Sequence, residues 1–140
     1  WNACPGLVHG STVHEAAEFD RLAIANPKTA PYGIGALQIL EALGVDAQLG
    51  RKLVKGDNIA QTYQFVMTQN AQLGFVALSQ VQGNREGSVW LPPQSLYDPL
   101  HQDMVLLDRG KADPAALAFV DFLFSDEAQQ IAKRYGYGTD

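Results

Sequence analysis

The sequence predicts an α/β fold, a three-layer αβα arrangement around a mainly parallel sheet, on three observations. Short apolar runs of strand character, "LAIA", "KLVKG" and "LGFVALS", alternate with stretches of helical spacing. The first two runs end in a loop that carries helix-start signals. Finally, 140 residues with 46% hydrophobic and 18% charged side chains suit one globular core.

Taken in order, "WNACPGLVHGSTVHEAAEFDRL" has little periodicity and reads as an irregular lead-in that starts with a strand remnant. Leu22–Ala25 is a buried strand, and "NPKTAPYG" is its loop. Ile34, Leu37, Leu40 and Leu43 then recur as the stripe of a helix that Gly44 stops. "RKLVKG" is a second strand. Asp57 and Asn58 offer N-caps, with Gln61 in capping-box position to Asn58, for a helix striped by Ile59, Tyr63, Val66 and Met67. "LGFVALS" is the clearest strand, and a polar "QGNREG" loop follows it. "SVWL", stopped by Pro92 and Pro93, and "DMVLLD" are further strands. Asp113 with Pro114 begins a helix carrying Leu117, Val120 and Phe124. Ser125 caps a last helix that holds Ile131 and ends at Gly136, so "YGYG" is a helix exit.

Right-handed crossovers place the strand-to-helix loops of such a sheet on one edge, where ligands of this fold class bind. The candidate loops are "NPKTAPYG", "KGDN" and "ALSQ".

Composition narrows the chemistry. A net charge of −5 gives no footprint for nucleic acid or an anionic membrane. No apolar run approaches the roughly 20 residues that span a bilayer, and no charged-then-apolar signal peptide opens the chain. Cys4 is the single cysteine, so an intrachain disulfide is ruled out. His9, His14 and His101 have no metal-ligand spacing with Cys4 or a carboxylate pair, so no metal or cofactor is expected. Asp126 and Glu127 sit where a first turn welcomes acids. Phe119, Phe122 and Phe124 read by spacing as core. No nucleophile–base pair supports an enzyme.

What remains is two helix starts, at Tyr32-Gly33 and at Asn58-Ile59. Each offers backbone N–H donors and a partial positive charge, a neutral cradle for an anion. An ordinary pair of loops is the alternative.

The strings "RLAIANPKTAPYGIGALQILEALG", "KLVKGDNIAQTYQFVMTQNAQLGFVALSQV", "LYDPLHQDMVLL" and "PAALAFVDFL…SDEAQQIAKRYGYG" resemble, in order and over nearly the whole chain, the molybdate-binding proteins of bacterial ABC importers. These are two-lobed periplasmic solute-binding proteins of type II. The resemblance implies a truncated member, about its last three-fifths: residues 1–101 as the second lobe, and 102–140 as a strand and helices that return to an absent first lobe. The opening on Trp1, without methionine, fits an entry in mid-fold.

By the same resemblance, molybdate or tungstate sits between lobes on neutral donors, and a membrane permease receives it. The donors carried over are the backbone N–H groups of Tyr32 and Ile59, with Pro31, Gly33, Asn58 and Ala77 in support. Ala77 stands where some members place a tyrosine, so that hydroxyl contact is missing, and the Tyr32 hydroxyl is the candidate substitute. The absence of a nearby Lys or Arg is expected under this reading. The intact family is periplasmic. A second reading is a detached lobe without molybdate binding, forming a homo-oligomer through the C-terminal helices, where Phe119, Phe122, Phe124 and Tyr135 lose a packing partner.

Overall fold

The computed structural model describes residues 19–83 and 88–138, together with the backbone of residues 2–3 and 5–8. Cys4, His9, His14 and residues 84–87 of the "QGNREG" loop lie outside the described residues.

Three parallel strands form the centre: β3 (Leu22–Ala25), β4 (Leu53–Gly56) and β5 (Leu73–Ala77). β3 pairs with β4 in register from Leu22↔Leu53 to Ala25↔Gly56, and with β5 through Leu22↔Leu73 and Ala23↔Gly74. On the other side of β5 lie β2 (Pro5–Val8) and β6 (Val89–Trp90), giving the order β4-β3-β5-β2-β6. β2 runs against both its neighbours, whereas the other four strands point the same way. A small antiparallel sheet joins β1 (Asn2–Ala3) to β7 (Leu100–His101) and β8 (Tyr137–Gly138). The lead-in starts in strand, as expected, and supplies two strands rather than one remnant. Their partners lie far along the chain, so local periodicity could not signal them.

Helices cover both faces of the large sheet. The helix α1 (Pro31–Ala42) and the helix α3 (Ile59–Met67) follow β3 and β4. Along β5, Phe75 and Ala77 join the core that holds Ala36, Ile39 and Leu40 of α1, and Val76 packs with Tyr63 and Val66 of α3. Alternation along a strand puts those two sets on opposite faces, so the layers run α, β, α. All four residues of β3 are buried, as expected for a central strand covered on both sides. The short helices α2 (Asp46–Leu49) and α4 (Leu78–Val81) complete this part. No helix among the described residues is long and apolar enough to cross a membrane.

Two helical stripes differ from expectation. In α1 the buried face is Tyr32, Ala36, Ile39 and Leu40, and Ile34 is 48% exposed. A strict three-residue spacing falls about 60° short of a turn at each step, so Ile34 and Leu43 end on different sides. In α3, Met67 is exposed and Thr62 is fully buried. Its hydroxyl donates to the Asn58 carbonyl at 2.9 Å, which lets it sit in the interior.

The C-terminal part departs further. "DMVLLD" forms no strand: the strand there is β7, and Met104, Val105 and Leu107 are exposed. Residues 102–107 find no strand edge to join among the described residues, and an apolar run without a ladder partner stays extended coil. The helices α5 (Pro114–Leu123) and α6 (Asp126–Arg134) form as the caps predict, with Asp113 accepting from the Ala115 N–H and Ser125 from the Ala128 N–H. Phe119, Phe122 and Phe124 are exposed, not core, and α5 buries no residue at all. The helix exit at Gly136, with φ +81°, leads directly into β8.

Candidate functional site

Parallel register decides which loops meet. Ala25 and Gly56 end β3 and β4 side by side, so the chain leaves both strands on the same sheet edge. The Asn26 N–H donates to the Gly56 carbonyl at 2.8 Å, extending the ladder one step into the loops. The Thr29 hydroxyl donates to the Asp57 carbonyl at 3.3 Å and fastens the second loop to the first. Ala77 ends β5 on the same edge, and the side chain of Gln80 links it to α3. Its Oε1 accepts from the Ala77 N–H at 3.0 Å, and its Nε2 donates to the Ile59 carbonyl at 3.3 Å. All three loops nominated from the sequence are thus tied together.

At the start of α1, Pro31 occupies the first turn without an N–H to offer, and Ala30 caps without a side-chain acceptor. The Gly33 N–H donates to the Ala30 carbonyl at 2.9 Å. Tyr32 is buried in the main core cluster, which anchors the peptide that carries its N–H. A side chain at Gly33 would run into the carbonyl of Ala25 and come within 2.7 Å of the Pro27 nitrogen. Only glycine lets α1 begin this close to the end of β3.

The start of α3 is capped differently. Asn58 Oδ1 accepts from the Gln61 N–H at 2.9 Å, as the sequence predicts, but the return bond goes one residue earlier: Gln61 Oε1 accepts from the Asp57 N–H at 2.6 Å. Gly56 plays the part here that Gly33 plays in α1, since a Cβ would lie 2.7 Å from Thr62 Oγ1. Helix geometry leaves the Ile59 and Ala60 N–H groups without intrahelical acceptors, and none accepts from them among the described residues. Neither α1 nor α3 has an acidic residue in its first turn, so neither positive helix end is neutralised from within.

Tyr32, Ile59, Pro31, Gly33, Asn58 and Ala77 are therefore all placed at this edge. Thr29 and Gln80, which hold the loops together, were missed by the sequence reading. A glutamine three residues after a strand end was the available signal for Gln80. Lys28 lies in the first loop and is exposed, so the expectation that no Lys or Arg is nearby does not hold for this loop. Ser79 Oγ and Tyr137 Oη, 3.2 Å apart, add a hydroxyl pair just beyond β5 and link it to the C-terminal strand. The described residues hold no cluster of His, Cys, Asp and Glu suited to a metal.

The chain has clear relatives. It is 50% identical over 143 residues to the molybdate-binding protein ModA of Azotobacter vinelandii, covering 99% of this chain and 56% of that protein. It is 46% identical over 140 residues to ModA of Rhodobacter capsulatus, again covering 56% of it. The chain thus spans little more than half the length of these curated relatives. Among solved structures, a periplasmic molybdate-binding protein of Azotobacter vinelandii superposes with a TM-score of 0.89 at 28% identity, covering 99% of this chain and 66% of that one. The substrate-binding domain of a molybdenum ABC transporter protein from Clostridium difficile shares the fold, with a TM-score of 0.75 at 22% identity. Residues 9–138 match the family model described as bacterial extracellular solute-binding protein, and with the fold and sheet-edge geometry above, the chain belongs to that family.

Proposed function

We propose that this chain is the second-lobe part of a molybdate- or tungstate-binding component of an ABC import system. It is a binding protein and not an enzyme. The Tyr32 and Ile59 N–H groups donate to a tetrahedral oxyanion, Pro31 and Gly33 shape the first loop, and Asn58 holds the second. Ala77, without a hydroxyl, leaves room at the end of β5. Residues 1–101 form the lobe, and residues 102–140 return to the partner lobe. The anion is delivered to a membrane permease, and the intact protein acts in the periplasm.

The observation that carries this reading is the pair of helix starts, without acidic first turns, tied together on one sheet edge. Two such ends meet a dianion with fixed dipoles that need no reorganisation on binding. The names of the relatives point to the same ligand. With one wall of a cleft, the 140-residue chain binds molybdate weakly, in the millimolar range expected of a few N–H contacts. Calorimetry with molybdate, tungstate and sulfate tests this, and submicromolar affinity for this chain contradicts a half-site.

A second reading, a homodimer through the C-terminal helices, rests on one observation. Phe119, Phe122, Phe124, Ile131 and Tyr135 are exposed around a cavity of about 1170 Å³ that α5 and α6 line together with residues 102–104, Ser79 and Tyr137. An apolar surface of that kind drives association. Light scattering at high concentration decides it: a dimer supports this reading, and a clean monomer removes it.

A further inference from the structure

The Gln80 carboxamide makes two hydrogen bonds to backbone, one local and one to a distant segment. Its oxygen takes the Ala77 N–H at 3.0 Å, and its nitrogen reaches across to the carbonyl of Ile59 at 3.3 Å, twenty-one residues earlier in the chain. The first of these bonds is local and caps the short helix α4. The second is not needed by α4. It lands on the first residue of α3, and β5 is the rigid element behind it, with Phe75, Val76 and Ala77 all buried.

Fixing the Ile59 carbonyl holds the plane of the Ile59–Ala60 peptide, which meets the peptide carrying the Ile59 N–H at the Ile59 Cα, and so constrains the first turn of α3. Asn58 Oδ1 already holds the Gln61 N–H, and the Asn58 carbonyl takes both the Thr62 N–H at 3.1 Å and the Thr62 hydroxyl. Gln80 adds a restraint from outside the turn, placed on the residue that carries the candidate donor. A donor aimed within a few tenths of an ångström binds an anion better than one that wanders, because no ordering remains to be done on binding.

We propose that Gln80 is a positioning residue that sets the aim of the Ile59 N–H toward the bound oxyanion, using β5 as its anchor. This inference rests on the reading of Ile59 as an anion donor.

The test follows backbone amide resonances of the 140-residue chain during titration with molybdate, for the native chain, Gln80→Leu and Gln80→Glu. Leucine loses both bonds. Glutamate keeps an acceptor for the Ala77 N–H but, when ionised, has no donor for the Ile59 carbonyl, so it separates the α4 cap from the α3 restraint. At neutral pH Gln80→Leu should bind molybdate about 5- to 10-fold more weakly, the effect of losing the bond to the Ile59 carbonyl, and Gln80→Glu at least as weakly, because its carboxylate also repels the dianion. Without anion, the Ile59 amide of Gln80→Glu should shift from its native position at neutral pH. It should return as the pH falls through about 4.3, where the protonated carboxyl can donate again. A role confined to capping α4 would leave the Ile59 amide of Gln80→Glu in its native position at every pH.

Native affinity in both variants, with an unmoved Ile59 amide, overturns the inference and leaves the oxyanion reading intact. A native chain whose Ile59 and Tyr32 amides ignore molybdate overturns the oxyanion reading and this inference with it. Should Gln80→Leu fail to fold, Gln80→Glu alone decides through its pH response.

Discussion

The Thr29 hydroxyl donates to the Asp57 carbonyl across 3.3 Å, so the loop entering α1 holds the loop entering α3. The same hydroxyl lies 3.4 Å from the Asn26 carbonyl, which makes both contacts long and shared. Thr29 is exposed, and water can replace what is lost. Thr29→Val should therefore cost less than about 1 kcal/mol. Urea denaturation measures it, and a larger loss would mean the two loops depend on this bond more than its geometry suggests.

Two glycines of α1 should respond in opposite ways. Gly33→Ala drives a methyl into the Ala25 carbonyl and the Pro27 nitrogen, both backbone atoms that cannot step aside. A loss of about 1–3 kcal/mol or more is expected, the usual range for overpacking. Gly35→Ala meets only side-chain atoms, of Leu100 at 3.5 Å and of Tyr97 at 3.8 Å, both ordinary contacts. Within a helix that exchange gains up to about 1 kcal/mol in propensity. Denaturation midpoints of the two variants should fall on either side of the native chain.

Asn58 allows stability and binding to be separated. Asn58→Asp keeps an acceptor for the Gln61 N–H and adds a favourable charge at a helix start. Stability should stay within about 0.5 kcal/mol of native at neutral pH. The same charge sits next to the Ile59 N–H and repels a dianion, so molybdate binding should weaken, most at low salt. Asn58→Ala loses the cap and should cost about 1 kcal/mol. Calorimetric titration at two salt concentrations, beside thermal denaturation, reads both effects.

Local chemistry made much of this fold legible. The Asn58 and Ser125 caps, the Pro114 start and the strand Leu22–Ala25 each depend on residues adjacent in sequence, and each is where the sequence puts it. Misreadings arose where the deciding partner is distant. β2 is a strand because β5 and β6 accept it, and "DMVLLD" is not one because no edge among the described residues does. Periodicity could not distinguish those two cases. The site divides in the same way. Its helix starts could be read from prolines, glycines and caps, but the Gln80 bridge to Ile59 exists only once β5 and α3 have packed.

The C-terminal face offers a test that is independent of the anion. Phe124 is 71% exposed, so Phe124→Ser removes little burial and should change stability by no more than about 0.5 kcal/mol in a monomer. In a dimer formed through α5 and α6, it should shift the oligomer toward monomer. Light scattering paired with denaturation separates these outcomes. Unchanged mass together with unchanged stability would show that the face is not covered by a second copy.

The central claim is that backbone donors at two helix starts hold the oxyanion, and amide-resolved titration of the 140-residue chain with molybdate tests it most directly. The account predicts that the Tyr32 and Ile59 resonances move farthest, together and with one saturation curve in the millimolar range. Shifts centred on other residues, or no shift at either amide, would contradict it.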